Sequence, residues 1–175
     1  MAPLRHVLTV LPMSAVLGIG CADTPSSMPA EPQFAADLIT LRLPPGCTKI
    51  TGKFSFQAVM GPACVSAIGV CSTGSITGGP LAGDFSFTGT SAEGTIDSPI
   101  TQVIAVTGDR TIQTKLGTLS TKDAHTQRTS GVQYFAGVWT IVAGTGAWAD
   151  ASGFVQAIGV GATSGEGEFS GQVCT

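Results

Sequence analysis

Charge is scarce in this chain, and the scarcity excludes several classes at once. Only 11% of its 175 residues are Asp, Glu, Lys or Arg, less than half the ~25% of an ordinary soluble domain, so neither a solvated disordered chain nor a charge-patterned coiled coil fits. Eight basic against eleven acidic residues give a net charge of −3 and no basic surface to neutralise phosphates. Nucleic acid is therefore not an expected partner. Two histidines and one tyrosine are a thin stock for acid–base chemistry, and no G-x-S-x-G, P-loop or calcium-loop motif occurs. What is abundant is glycine, at 24 residues, about twice its usual ~7% share. That excess disfavours long helices and is expected at turns. The length corresponds to about one domain.

The apolar run Val7 to Gly20 is too short to span a bilayer, which needs ~20 apolar residues. It follows the positive charge of Arg5 and suits the h-region of an export signal. The run closes in Leu-Gly-Ile-Gly followed by Cys21, which resembles a bacterial lipoprotein signal, with Gly18 where such signals usually place Leu. The resemblance implies cleavage after residue 20, lipidation of Cys21, and membrane contact only through that anchor; plain secretion and an uncleaved anchor are the alternatives. The mature chain would keep seven basic and eleven acidic side chains, a net charge of −4, and His125 as its one histidine. Residues 21–46 hold half of the ten prolines and read as a tether. Within it Leu38 to Leu43 could pair as an extra edge strand.

Residues 47–175 alternate with period two. Phe54, Phe56, Ala58 and Met60 share one face against Lys53, Ser55 and Gln57, and Phe85 and Phe87 repeat the pattern against Asp84, Ser86 and Thr88. Further strands are predicted at Val70–Thr77, Ile100–Thr107, Thr111–Lys115, Thr118–Thr126, Gln133–Ala143, Ser152–Val160 and Gly165–Val173, separated by Gly-Gly, Gly-Asp, Leu-Gly and Ser-Gly turn signals. Eight or nine short strands in succession predict an all-β, closed antiparallel eight-stranded barrel, with a two-sheet sandwich as the alternative. Four cysteines besides Cys21, an even number, fit an exported, oxidised chain. In a closed barrel the first and last strands are antiparallel neighbours. That geometry pairs Cys47 with Cys174 and leaves Cys64 for Cys71; the other pairings and free thiols remain open. The C-x6-C spacing and a single histidine do not make a zinc site, so no metal is expected.

Val138 to Ala157 carries the most specific signal: a strand runs into Gly144-Thr145-Gly146, Trp148 follows, and Ala151 and Gly153 lead into the next strand. This string resembles the GGTG-x-aromatic-x-x-A-x-G hairpin of the allene oxide cyclase and dirigent barrels, with Ala143 at the first glycine. The segments Ala63–Ser91, Thr107–Ala124 and Gly165–Cys174 are similar to bacterial members of that group. The resemblance implies a calycin-like barrel over residues 47–175, in which the glycines make a tight turn and Trp148 covers one end. The same hairpin also matches the G-x-G-x-x-A dinucleotide fingerprint, with Glu166 about 20 residues on. The segment after it alternates and offers no helix for a pyrophosphate.

Candidate chemistry is sparse. Lys122, Asp123 and His125 cluster on one strand, with Asp123 and His125 on one face; an outward polar face is the favoured reading, and a polar group in the barrel mouth the alternative. Tyr134 offers a phenol. Glu166 and Glu168 share a face and read as solvated. Phe54, Phe56, Phe85, Phe87 and Trp139 read as core or as the lining of a ligand cavity. Two functions follow from the resemblance: an exported, envelope-anchored barrel that holds a small apolar ligand, or a cofactor-free cyclase or isomerase of an unsaturated apolar substrate, of allene oxide cyclase or spirotetronate cyclase type. A non-catalytic surface module is the third. No cofactor is implied by any of them, and the oligomeric state is left open.

Overall fold

A computed structural model describes residues 43–98 and 101–175; side-chain surroundings are described for these except residues 95–98, 101 and 102. Eight antiparallel strands follow one another as β1 (Cys47–Ala58), β2 (Cys71–Thr77), β3 (Gly83–Ser98), β4 (Thr101–Thr114), β5 (Gly117–Arg128), β6 (Tyr134–Gly144), β7 (Ser152–Gly161) and β8 (Ser164–Cys174). Each pairs with the next, and β8 pairs back to β1, closing the barrel without an edge. The closed antiparallel barrel expected from the alternation is present, and the sandwich is not. The signal at 1–20, Cys21, residues 22–42 of the tether and all of the Leu38–Leu43 segment but Leu43 lie outside the described residues.

Closure brings Cys47 opposite Cys174 in the β1–β8 register, and the two form a disulfide; Cys64 and Cys71 form the other. Both are the pairs that barrel geometry favours. The first joins residues 127 apart in sequence, a cross-link that removes much conformational freedom from the unfolded chain.

One expectation fails at Gly108-Asp109. Predicted strands on either side of it are a single strand, β4, which runs through the pair without turning; of the predicted boundary residues, Ile100 lies outside the described set. The glycine is needed for space, because a Cβ there would collide with the Phe87 ring and the Thr88 carbonyl. β3 likewise continues past the alternating residues Asp84 to Thr88 to Ser98, with register shifts at Gly89/Ser91 and Ile96/Ser98. Such bulges let a long strand follow the barrel's curvature.

The same finding corrects the reading of the glycine excess as turn chemistry. Turn glycines with positive φ exist, Gly146 (φ 64°) and Gly117 (φ 138°) among them, but another group lies within strands beneath aromatic rings. Gly167 faces Phe54, Gly165 faces Phe56, Gly74 faces Phe85, Gly159 faces Phe135 and Gly52 faces Phe169 across neighbouring strands. An added Cβ would stand 2.5 Å from Phe54 Cζ at Gly167, and 2.6 Å from Phe169 Cζ at Gly52. An eight-stranded barrel is barely wide enough for its own side chains. Each ring therefore lies across the backbone of the next strand, over a residue with no side chain.

The two ends differ. At the end holding the β4–β5 and β6–β7 turns, Ile50, Leu81, Ile112, Leu119, Ile141 and Val173 pack into a continuous core. Trp148 closes it from the 3-10 turn Gly146–Trp148, its indole N–H donating to Thr114 Oγ1 at 3.0 Å. Burying the ring and satisfying its N–H together is what makes a Trp stable there. The opposite end, beneath the β1–β2 and β5–β6 loops, is not filled.

Ring-over-glycine packing predicts a specific coupling. Gly52→Ala should lower stability by about 1–3 kcal/mol through overpacking, and Phe169→Leu should cost less in that background than in the wild type. Urea unfolding of the four proteins measures this; additive effects would show that ring and glycine do not constrain each other.

Candidate functional site

The unfilled end is a cavity of about 250 Å³ inside the barrel. Its wall is aromatic: Phe54, Phe56, Phe85, Phe87, Phe135 and Trp139 all line it. Phe54 contacts the rings of Phe85, Phe135 and Trp139 with centroids 6.5, 5.9 and 5.4 Å away, and Phe56 meets Phe135 edge-on at 5.6 Å. The five aromatic residues singled out from the alternation are therefore brought together as one wall, and Phe135 joins them.

A charged pair sits against this wall. Because β4 does not turn at Gly108, Val106, Gly108, Arg110 and Ile112 fall on the inward face in succession, and Arg110 enters the barrel with only 8% of its surface exposed. Its Nε–H donates to Asp123 Oδ2 at 2.7 Å, and Thr121 donates its hydroxyl to Asp123 Oδ1 at 2.6 Å. Thr121 is the cross-strand neighbour of Arg110 and Asp123 that of Gly108, so β5 presents both partners from its inward face. The guanidinium carbon lies 4.2 Å from the Trp139 ring centroid, 4.5 Å from that of Phe85 and 5.5 Å from that of Phe87. Desolvated cation–π contacts of this kind contribute up to about 2 kcal/mol each. Burial pulls the Arg110 pKa down, while the charge of Asp123 and its hydrogen bond oppose that shift.

His125, two residues beyond Asp123 on the same face, lines the cavity with its ring 5.5 Å from Phe87. Burial lowers its pKa from the ordinary 6.5, the charge of Asp123 raises it, and that of Arg110 lowers it further. At neutral pH the imidazole is accordingly uncharged, with one N–H donor and one acceptor nitrogen. The favoured reading of Asp123 and His125 as an outward polar face is thus overturned: Asp123 is 3% exposed, and both side chains point inward. Lys122, between them, does face solvent and pairs with Asp109 at 2.5 Å, an exposed contact of small energetic weight.

Other candidates lie elsewhere. Tyr134 is 59% exposed on the outer face of β6, beside Ile158, Val160 and Arg128. Glu166 and Glu168 are on the solvated face of β8, as read from the sequence. Gly144, Gly146, Trp148 and Gly153 belong to the closed end, where a three-residue 3-10 turn follows the hairpin glycines in place of the helix a dinucleotide site requires. Among the described residues, no three His, Cys, Asp or Glu side chains could hold a metal ion.

Residues Val59 to Val70 border the mouth. Val59, Met60, Gly69 and Val70 line the cavity, and the segment is pinned by the Cys64–Cys71 disulfide and by Ser66, whose hydroxyl donates to the Gly89 carbonyl at 2.7 Å and accepts from Val70 N at 3.3 Å. The Gly89 N–H returns a bond to the Val70 carbonyl at 2.7 Å.

Arg110 and Phe135 were missed from sequence. Arg110 was hidden in a segment read as a turn; extending the alternation through Gly108 places it as a lone cation on an apolar face. Phe135 alternates with Gly137, Trp139 and Ile141, so the pattern that selected Trp139 also contained it.

Removing one member of the buried pair should be costly. Asp123→Ala leaves a desolvated, unpaired guanidinium and should destabilise the barrel by about 3–5 kcal/mol, whereas the double variant Arg110→Met, Asp123→Leu should be at least as stable as the wild type. Denaturant midpoints decide; a cost below about 1 kcal/mol for Asp123→Ala would mean that Arg110 reaches water.

No family model matches this chain, and neither a curated protein nor a solved structure matches it.

Proposed function

We propose that this chain is an exported, lipid-anchored β-barrel of the allene oxide cyclase and dirigent (calycin-like) type, which holds a small hydrophobic ligand in the open end of its barrel. The observation that carries the reading is the aromatic cavity of about 250 Å³. A barrel serving only as a structural module has no use for such a space, since filling it with side chains would add contacts and stability. One end of this barrel is filled in that way, and the other keeps the cavity.

Two disulfides support an oxidising, extracytoplasmic setting, and the amino-terminal sequence resembles an export and lipidation signal. A cofactor-free cyclase or isomerase is the second reading, favoured by Arg110 and His125 bordering the same cavity. An aromatic wall that folds a flexible chain into its reactive conformer, beside a fixed cation, is what such chemistry needs. The envelope setting favours binding, because a biosynthetic cyclase acts where its substrate is made.

Native mass spectrometry of the exported mature protein tests the proposal. A noncovalent apolar adduct is expected, and Ala157→Leu, which places a larger side chain at the cavity wall, should lose it while the circular dichroism spectrum stays that of the wild type. A wild-type protein that carries no adduct, and takes up none from an apolar extract of the producing cells, would overturn ligand binding in favour of the structural module. An adduct that returns as a ring-closed isomer of an added open-chain compound would identify the cyclase.

A further inference from the structure

We propose that the ligand of this cavity carries one uncharged hydrogen-bond acceptor, a carbonyl or its equivalent, at the end that enters the barrel first, and that Arg110 receives it. The inference rests on the ligand-binding reading and makes it chemically specific.

Size is the first constraint. A space of about 250 Å³ corresponds to about eight water molecules at ~30 Å³ each, so the ligand has about that many non-hydrogen atoms, most of them apolar to match the rings. Charge is the second. Among the side chains lining the cavity, the ionisable ones are Arg110 and His125, with Gln127 and Ser72 as the uncharged polar groups. The Arg110 charge is already balanced by Asp123 at 2.7 Å, and no further cation lines the cavity. A carboxylate ligand would bring a net negative charge into a low-dielectric space without compensation; a neutral acceptor brings none.

Geometry is the third. Trp139 and Phe85 lie close to the guanidinium, and a guanidinium donates hydrogen bonds only from its edge. It has five N–H donors, of which Asp123 takes the Nε–H. Held by that bond and bordering the cavity, the guanidinium is a positioned donor at the inner end of an apolar channel. Such a group fixes the orientation of a ligand whose affinity comes from its apolar body.

Three probes of equal chain length test this on the oxidised mature protein: octane, methyl hexyl ketone and octanoate. Dissociation constants for the two volatile probes come from headspace partitioning, and for octanoate from equilibrium dialysis. The ketone should bind about ten- to a hundredfold more tightly than octane, the range for a hydrogen bond from a charged donor, and octanoate no more tightly than octane. Arg110→Met with Asp123→Leu should bind both volatile probes alike. Should that double variant fail to fold, the infrared carbonyl stretch of the ketone bound to wild type serves instead, and should lie at lower frequency than in hexane. Equal binding of octane and ketone, or an unshifted carbonyl, would overturn the acceptor while leaving the ligand cavity standing. Tightest binding of octanoate would make the site an anion site and overturn the neutral-ligand inference. Absence of binding by all three would overturn the underlying reading as well.

Discussion

A buried arginine inside a small barrel is tolerable only if its charge is met on the spot, and much of this structure is arranged around that requirement. Asp123 supplies the counter-charge, Thr121 holds the carboxylate from its other oxygen, and the rings of Trp139, Phe85 and Phe87 surround the guanidinium. Such a pair adds little net stability compared with apolar side chains of the same volume. Its presence is therefore better explained by what it does than by what it holds together. Gly108 is part of the same arrangement, because only a residue without a side chain leaves room there for Phe87 beside Arg110 and Asp123.

Space is the second constraint. Six phenylalanine rings lie in the interior over strand glycines, so the barrel accommodates large rings in an interior that ordinary side chains would overfill. At one end this yields a sealed core under Trp148. At the other the rings of β1, β3 and β6 touch one another and leave a cavity of about 250 Å³ beside them, which the disulfide-pinned segment from Val59 to Val70 borders. In the proposed reading, a polar group at the inner end and an apolar wall would select a small molecule by shape and orient it by one hydrogen bond. The same parts would serve a cyclase, which asks in addition that the bound molecule react.

Much of the fold was legible because period-two alternation depends only on which residues are apolar. The aromatic positions Phe54, Phe56, Phe85, Phe87 and Trp139 and the pairing of Cys47 with Cys174 followed from that alternation and from barrel closure. The failures share one cause. Glycine was read as punctuation, whereas at Gly108 it is a void beneath a ring, and the difference depends on a residue of the neighbouring strand that local sequence does not show. Misreading Gly108 divided β4 in two, concealed Arg110, and with it removed the reason for Asp123 to face inward. Asp123 and His125 then looked like an ordinary solvated face, which is what two polar residues alternating on a strand usually are.

The role of Arg110 is decided by where a bound molecule places its polar end. A crystal structure of the disulfide-bonded protein soaked with methyl hexyl ketone measures this directly. It should show the keto oxygen about 3 Å from an Arg110 Nη, the hexyl chain along the aromatic wall toward Val59 and Val70, and the bond from Arg110 to Asp123 intact. A ketone bound with its carbonyl at the mouth, or found only outside the barrel, would contradict it.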